Sequence, residues 1–274
     1  MSFFKPPPKP DNPLGWHRIL SPTAAVKVSP ICLGGISIGT GWEELFGKNE
    51  DPFKLIDAYY ALGGNFIDTS NTYNFETSES MFGEWMESRG VRDQMVIATK
   101  YSAGYKAYDR EKLPLQSNYT GNSAKSMHLS ADIIHMAEDQ ENGDRTAAYG
   151  LTEKDVRVSE VLESIAETHK STLHAVALAY LFAQSTYVIP IVGVQTVEHV
   201  KAMPDALRTE LSPEEIRRVH EASPLVPQFP MNFLFSYGSN VPYNTHLTGA
   251  DVSQSQMACW YDAPPKQPSY QPRE

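Results

Sequence analysis

Short apolar runs alternate with amphipathic stretches through the first hundred residues. From Asp51, DPFKLIDAYYALGG places Phe53, Ile56 and Tyr60 at helical spacing, with proline in the first turn and Gly63-Gly64 as the stop. NFIDTSN (65–71) then reads as a strand, SESMFGEWMESRG (78–90) as a helix ended by Gly90, and MVIATKY (95–101) as another strand. Upstream, VKVSPICLGGISIG (26–39) reads as a strand ending at Gly34 and Gly35, which feeds a loop carrying Gly39, Gly41 and Trp42. This alternation predicts parallel neighbours in an α/β fold, with chemistry at the C-terminal strand ends.

Residues 102–157 break the rhythm, and only KSMHLSADIIHMAE looks helical there. The pattern returns in 159–184 as two helical pieces meeting near Lys170 to Thr172, then as a strand over 187–194. Helices follow over 196–203 and 212–223, the second with Ser212 as cap and Pro213 at its first position. The expected organisation is a flexible proline-rich tail (1–15), one domain (16–223) and an irregular tail (224–274) that wraps the surface or lies over a pocket.

Composition narrows the function. The chain has 274 residues, 41% of them hydrophobic, enough for a sizeable core. Its formal net charge of −10, without clustered lysine or arginine, argues against nucleic acid or an anionic membrane surface as partner. Cys32 and Cys259 are too few and too far apart for a zinc pattern, so no metal is expected. With neither a signal peptide nor a spanning apolar run in view, the expectation is a cytoplasmic protein with reduced thiols.

Three polar residues sit at or just beyond the ends of successive strands: Asp68, Tyr73 and Lys100. A phenol with a reference pKa of about 10 donates protons poorly at neutral pH until a nearby ammonium favours the phenolate. Lys100 can supply that charge, and Asp68 can hold the lysine charged and oriented. Taken singly, each is more simply a strand end, a turn residue and a solvated lysine. Their joint occurrence in strand-loop-helix context favours an acid tuned for carbonyl reduction.

The segments PICLGGISIG, GGNFIDTSNTYNFETSESMFGEWM, MVIATKYS, ALAYLFAQSTYVIPIVGVQTVEHV and FPMNFLFSYG together resemble the aldo-keto reductases. Within them they resemble the fungal branch of aryl-alcohol dehydrogenases and norsolorinic acid reductase-like enzymes. The resemblance covers residues 14–130 and 150–245 and implies a TIM-barrel-derived fold. It also implies an NADP(H)-dependent oxidoreductase acting on a small-molecule carbonyl of an aromatic or polyketide-like metabolite. By that resemblance Tyr73 is the general acid, Lys100 lowers its pKa, and Asp68 pairs with Lys100 beside the nicotinamide ribose. Gly35, Gly193, Val194, Gln195, Thr196 and His199 would line the cofactor, with Gln195 and His199 towards the adenosine 2′-phosphate. Relatives commonly carry an arginine or lysine near Gln195, and a carboxylate and an asparagine at Ala202 and Met203. This chain departs from that pattern at the adenosine end.

A larger departure lies near residue 130. In the family, the helix matching SAKSMHLS precedes a strand that ends in the catalytic histidine, and further strands follow. Here MHLS runs directly into ADIIHMAEDQENGDR, so a large internal part of the family's chain is missing, with the histidine. His128 and His135 are the nearest replacements, and neither ends an apolar strand. What remains predicts a partial barrel in strand order 8-1-2-3 with two raw edges. Self-association as a homodimer, cover by 102–157 and the tail, or a degenerate chain are the available consequences. The functional alternative is an inactive relic or accessory protein. A nucleotide-binding module without chemistry is disfavoured, because neither G-x-G-x-x-G nor a P-loop signature occurs.

Overall fold

Asp51 starts the first long helix by accepting the N–H of Phe53 on its carboxylate, and Pro52 supplies a first position that needs no donor. In a computed structural model the chain is described over residues 8–21, 23–131, 152–184 and 188–224. In chain order the elements are β1 (Arg18–Ser21), β2 (Ala24–Val28), β3 (Cys32–Gly34), α1 (Glu43–Phe46), α2 (Pro52–Ala61), β4 (Phe66–Asp68), α3 (Thr77–Arg89), β5 (Val96–Ala98) and α4 (Ala124–Ala131). Then come α5 (Glu153–His169), α6 (Leu173–Phe182), β6 (Ile191–Gly193), α7 (Val197–Arg208) and α8 (Pro213–Ala222). Two units are distinguished: Met1–Gly150 with Ile189–Pro204, and Leu151–Val188 with Asp205–Glu274.

In the first unit, β3 to β6 form one parallel sheet in the order β5-β4-β3-β6. In barrel numbering that is 3-2-1-8, the order expected from the sequence. The sheet does not close, so the architecture is a partial α/β barrel. Among the described residues β5 and β6 are its edges, and Ile191 on β6 is 58% exposed. Cys32, Leu33 and Ile67 are fully buried, as are Leu55, Ile56 and Tyr59 on α2 and Trp85 on α3. The Tyr59 hydroxyl lies 2.7 Å from Ser29 Oγ and 2.8 Å from the carbonyls of both Ile31 and Phe66, tying α2 to the starts of two strands. Gly64 makes room for that ring, since a Cβ there would lie 2.4 Å from it.

The apolar run from Val26 to Gly35 does not form one strand. β2 pairs antiparallel with β1, and only Cys32–Gly34 joins the parallel sheet. Between them the Ser29 N–H donates to Asn65 Oδ1 at 2.7 Å, and Pro30 offers no N–H to extend the ladder. Two helices also outrun their expected limits. α5 begins at Glu153 because Thr152 and Asp155 form a capping box, and α7 continues through Pro204 to Arg208.

The second unit is helical. Leu162, Ile165 and Ala166 of α5 form one core with Val176 and Ala179 of α6, Leu211, and Val219 of α8. Lys170 ends α5 in the left-handed conformation and Thr172 caps α6, where the sequence placed the break. None of the described helices is long and apolar enough to cross a membrane. His135, with the whole 132–151 stretch, and the tail from 225 onward lie outside the described residues.

Candidate active site

Parallel register brings the strand ends into one row, with Gly34 opposite both Asp68 and Gly193, and Asp68 opposite Ala98. The ladder continues past β4: Thr69 N–H donates to the Ala98 carbonyl at 2.8 Å and Asn71 N–H to the Lys100 carbonyl at 3.2 Å. This register places Lys100 Nζ 2.8 and 2.7 Å from the two Asp68 carboxylate oxygens and 2.8 Å from the Thr69 carbonyl. The Asp68 side chain is 10% exposed and that of Lys100 48%. Lys100 Nζ also lies 4.8 Å from the centre of the Tyr73 ring. Burial alone would pull the Lys100 pKa down, but hydrogen bonds to Asp68 and Tyr73, and their charges, push it above its ordinary value. The three residues singled out by sequence thus meet at one point.

Tyr73 is held there by an unusual turn. Asn74, Phe75 and Glu76 follow it with φ of 52°, 54° and 76°, left-handed backbone that costs about 1–2 kcal/mol per L-residue. Asn74 makes this tenable: its Nδ2 donates to the Ile36 carbonyl at 2.9 Å and the Ile38 carbonyl at 3.3 Å, and its Oδ1 accepts the Trp42 N–H at 2.8 Å. The glycine loop fits against it. A Cβ on Gly39 would fall 2.4 Å from Asn74 Cβ, and one on Gly41 2.5 Å from the Asn74 carbonyl oxygen. At Gly35, whose N–H donates to the Asp68 carbonyl at 2.7 Å, a Cβ would come within 2.7 Å of Phe82. Close packing therefore suffices to require glycine at 35.

An aromatic wall flanks the turn. Trp42 stands 6.1 Å from Tyr73 and 5.9 Å from Phe75, and Phe75 lies 5.0 Å from Tyr108, centre to centre. Two acids that the sequence reading passed over are buried nearby. Glu76 pairs with Lys106 at 2.6 Å and accepts from Tyr108, while Glu79 accepts from the Thr99 hydroxyl. Burial, first, and the neighbouring Glu76 push the Glu79 carboxyl above its usual range. Glu79 shares the face of α3 that carries buried Phe82 and Met86, and that spacing was its only sequence signal.

The expected cofactor residues from Gly193 to His199 lie at the β6 end of the same row. Val194 is buried, and its carbonyl accepts the Ser37 hydroxyl at 3.0 Å. Thr196 Oγ1 accepts the His199 N–H at 3.2 Å, and Gln195 N–H donates to His199 Nδ1 at 3.3 Å. No lysine or arginine occurs between 188 and 200. These residues can hold neutral groups of a dinucleotide, and none of them brings the guanidinium or ammonium that grips a phosphate most strongly. The chain passes from β5 to β6 with no strand between them among the described residues, and His128 lies within α4.

The sequence pattern of the aldo/keto reductase family matches residues 30–128 and 115–224. The chain belongs to the aldo/keto reductase family. Fungal proteins match most of it. Norsolorinic acid reductase A of Aspergillus parasiticus is 29% identical over 97% of this chain and 95% of its own length. The NADP(+) aryl-alcohol dehydrogenase of Phanerodontia chrysosporium is 32% identical over 88% of this chain and 94% of its own. The former alignment runs over 375 positions although this reductase-family chain has 274 residues, so at least a hundred positions of that relative have no counterpart here. Among solved structures, the glycerol dehydrogenase of Gluconobacter oxydans superposes with a TM-score of 0.50 at 17% identity, over 78% of this chain and 98% of that one, a likeness of fold. Members of this family are oxidoreductases that use a nicotinamide dinucleotide.

Proposed function

We propose that this chain is a cytoplasmic, NADP(H)-dependent oxidoreductase that reduces the carbonyl, or oxidises the alcohol, of an aromatic or polyketide-like metabolite. The observation that carries the reading is the convergence of Lys100 on both Asp68 oxygens and on Tyr73 at the sheet's C-terminal edge. When bound, the nicotinamide ring supplies or accepts the hydride. The Tyr73 hydroxyl gives its proton to the carbonyl oxygen as negative charge grows there. Lys100 stabilises the phenolate left behind, and Asp68 keeps the ammonium charged and in place. Trp42 and Phe75 offer aromatic faces beside Tyr73, in keeping with relatives named for aryl alcohols and norsolorinic acid.

A second reading is favoured by one specific observation: no strand between β5 and β6 is described, so the position of a catalytic histidine has no counterpart on the sheet. On that reading the chain is an inactive relic or accessory protein. The two edge strands also support self-association as a homodimer. The deciding experiment is NADPH consumption with a panel of aryl aldehydes by wild type and Tyr73→Phe. The proposed function predicts turnover that falls roughly 10²–10⁴-fold in the variant, with nucleotide binding retained. A wild type that neither binds NADPH nor consumes it would overturn that function.

A further inference from the structure

Residues 47–51 cross the β6–α7 turn as a strap within the first unit. Asn49 Nδ2 donates to the Ser37 carbonyl, and Ser37 Oγ donates in turn to the Val194 carbonyl at 3.0 Å. The Glu50 N–H donates to the Gln195 carbonyl at 2.9 Å, and Glu50 Oε2 accepts the Val197 N–H at 3.0 Å. The last contact sets a carboxylate on the first residue of α7. Helix starts attract anions because their first N–H groups lack intrahelical acceptors and the helix dipole is positive there. In this chain an anion of its own already holds that place. The cations nearest along the chain are Lys201, bonded to Glu198 at 2.7 Å, and Lys48 on the strap, which is exposed.

We propose that Glu50 is a cofactor-specificity residue, whose carboxylate competes with the 2′-phosphate of NADP(H) for the start of α7 and tolerates the 2′-hydroxyl of NAD(H). The inference rests on the dinucleotide-dependent function proposed above. A phosphate monoester brings about −1.5 to −2 charges at neutral pH. To bind at this turn it must displace Glu50 from Val197 and then meet no lysine or arginine between 188 and 200. A ribose hydroxyl can instead donate to the carboxylate, as acidic residues accept ribose hydroxyls in other dinucleotide sites. The aryl-alcohol dehydrogenase relative carries NADP(+) in its name. Glu50 therefore weakens a preference for NADPH, where a cation at the same place would strengthen it.

The test is titration calorimetry of the full chain, wild type and Glu50→Gln, with NADPH, NADH and adenosine 2′,5′-bisphosphate. Expected is a gain of about tenfold in affinity for NADPH and for the bisphosphate in the variant, with NADH changed by less than about twofold. Glu50→Lys should move the same ratio further in the same direction. An unchanged NADPH to NADH ratio, with both nucleotides bound, overturns the inference and leaves the proposed function standing. A Glu50→Gln chain that loses both nucleotides while wild type binds them overturns it too, by making Glu50 a structural strap residue. If wild type and variants alike bind neither nucleotide, the proposed function fails and the inference with it.

Discussion

The segment from Asp68 to Lys100 and the helices α5, α6 and α8 are held in opposite ways. In the helices, Thr152, Thr172 and Ser212 each accept a backbone N–H from the first turn, and two of the three starts are full capping boxes. Their buried residues are apolar. In the first segment three consecutive residues are left-handed, and Asp68, Glu76 and Glu79 are buried carboxylates. One oxygen each of Glu76 and Glu79 is buried without a hydrogen-bond partner. Strain and buried charge persist only where surroundings impose them, and they concentrate at functional sites. Nothing in helix packing calls for such costs, so the contrast itself marks the first segment as the candidate active site.

The sharpest way to break this contrast is Asn74→Ala. It forces alanine to φ 52° and removes three hydrogen bonds that tie the glycine loop to the turn. Urea unfolding should show a loss of about 2–4 kcal/mol, and carbonyl turnover should fall with it. A loss under about 0.5 kcal/mol would mean that the turn is not under strain.

Asp68→Asn comes next, with turnover reduced roughly 10- to 100-fold through loss of a charge-assisted pair. Because Asp68 helps to raise the Lys100 pKa, the alkaline limb of the pH–rate profile should move to lower pH in this variant. Ser212→Ala tests the other side of the comparison. It should cost about 1 kcal/mol of stability as an ordinary cap and leave turnover unchanged.

The smallest effect is expected from Glu79→Gln. A raised folded-state pKa means that protonation favours folding below the unfolded value, and that this contribution is lost as pH rises through the folded value. The variant should therefore gain stability at pH about 7 and none near pH about 4. Thermal melts at the two pH values check the sign, and a gain confined to the acidic sample would contradict it.

The same contrast governs how much could be read from sequence. The helices of the second unit were legible because their signals are local: Ser212 before Pro213 starts α8, and Lys170 to Thr172 separates α5 from α6. Asp68, Tyr73 and Lys100 were legible because a parallel sheet gathers its strand ends. The β1–β2 hairpin was missed because no glycine or asparagine marks its turn, only Ser21, Pro22 and Thr23. Asn74 and Glu50 were missed for a different reason. Their partners, Ile36 and Trp42 for one and Val197 for the other, are distant in sequence, and no pattern of types joins them. Glu76 and Glu79 were passed over because charged residues are rarely buried so fully.

The central claim is that Asp68, Tyr73 and Lys100 suffice for carbonyl reduction on a four-stranded sheet. Product identification tests it most directly: purified chain, NADPH and a substituted benzaldehyde, with the alcohol separated and weighed against the nucleotide consumed. The account predicts one alcohol formed per NADPH oxidised, abolished in Tyr73→Phe. Bound NADPH with no alcohol formed from any aldehyde of the panel would contradict it.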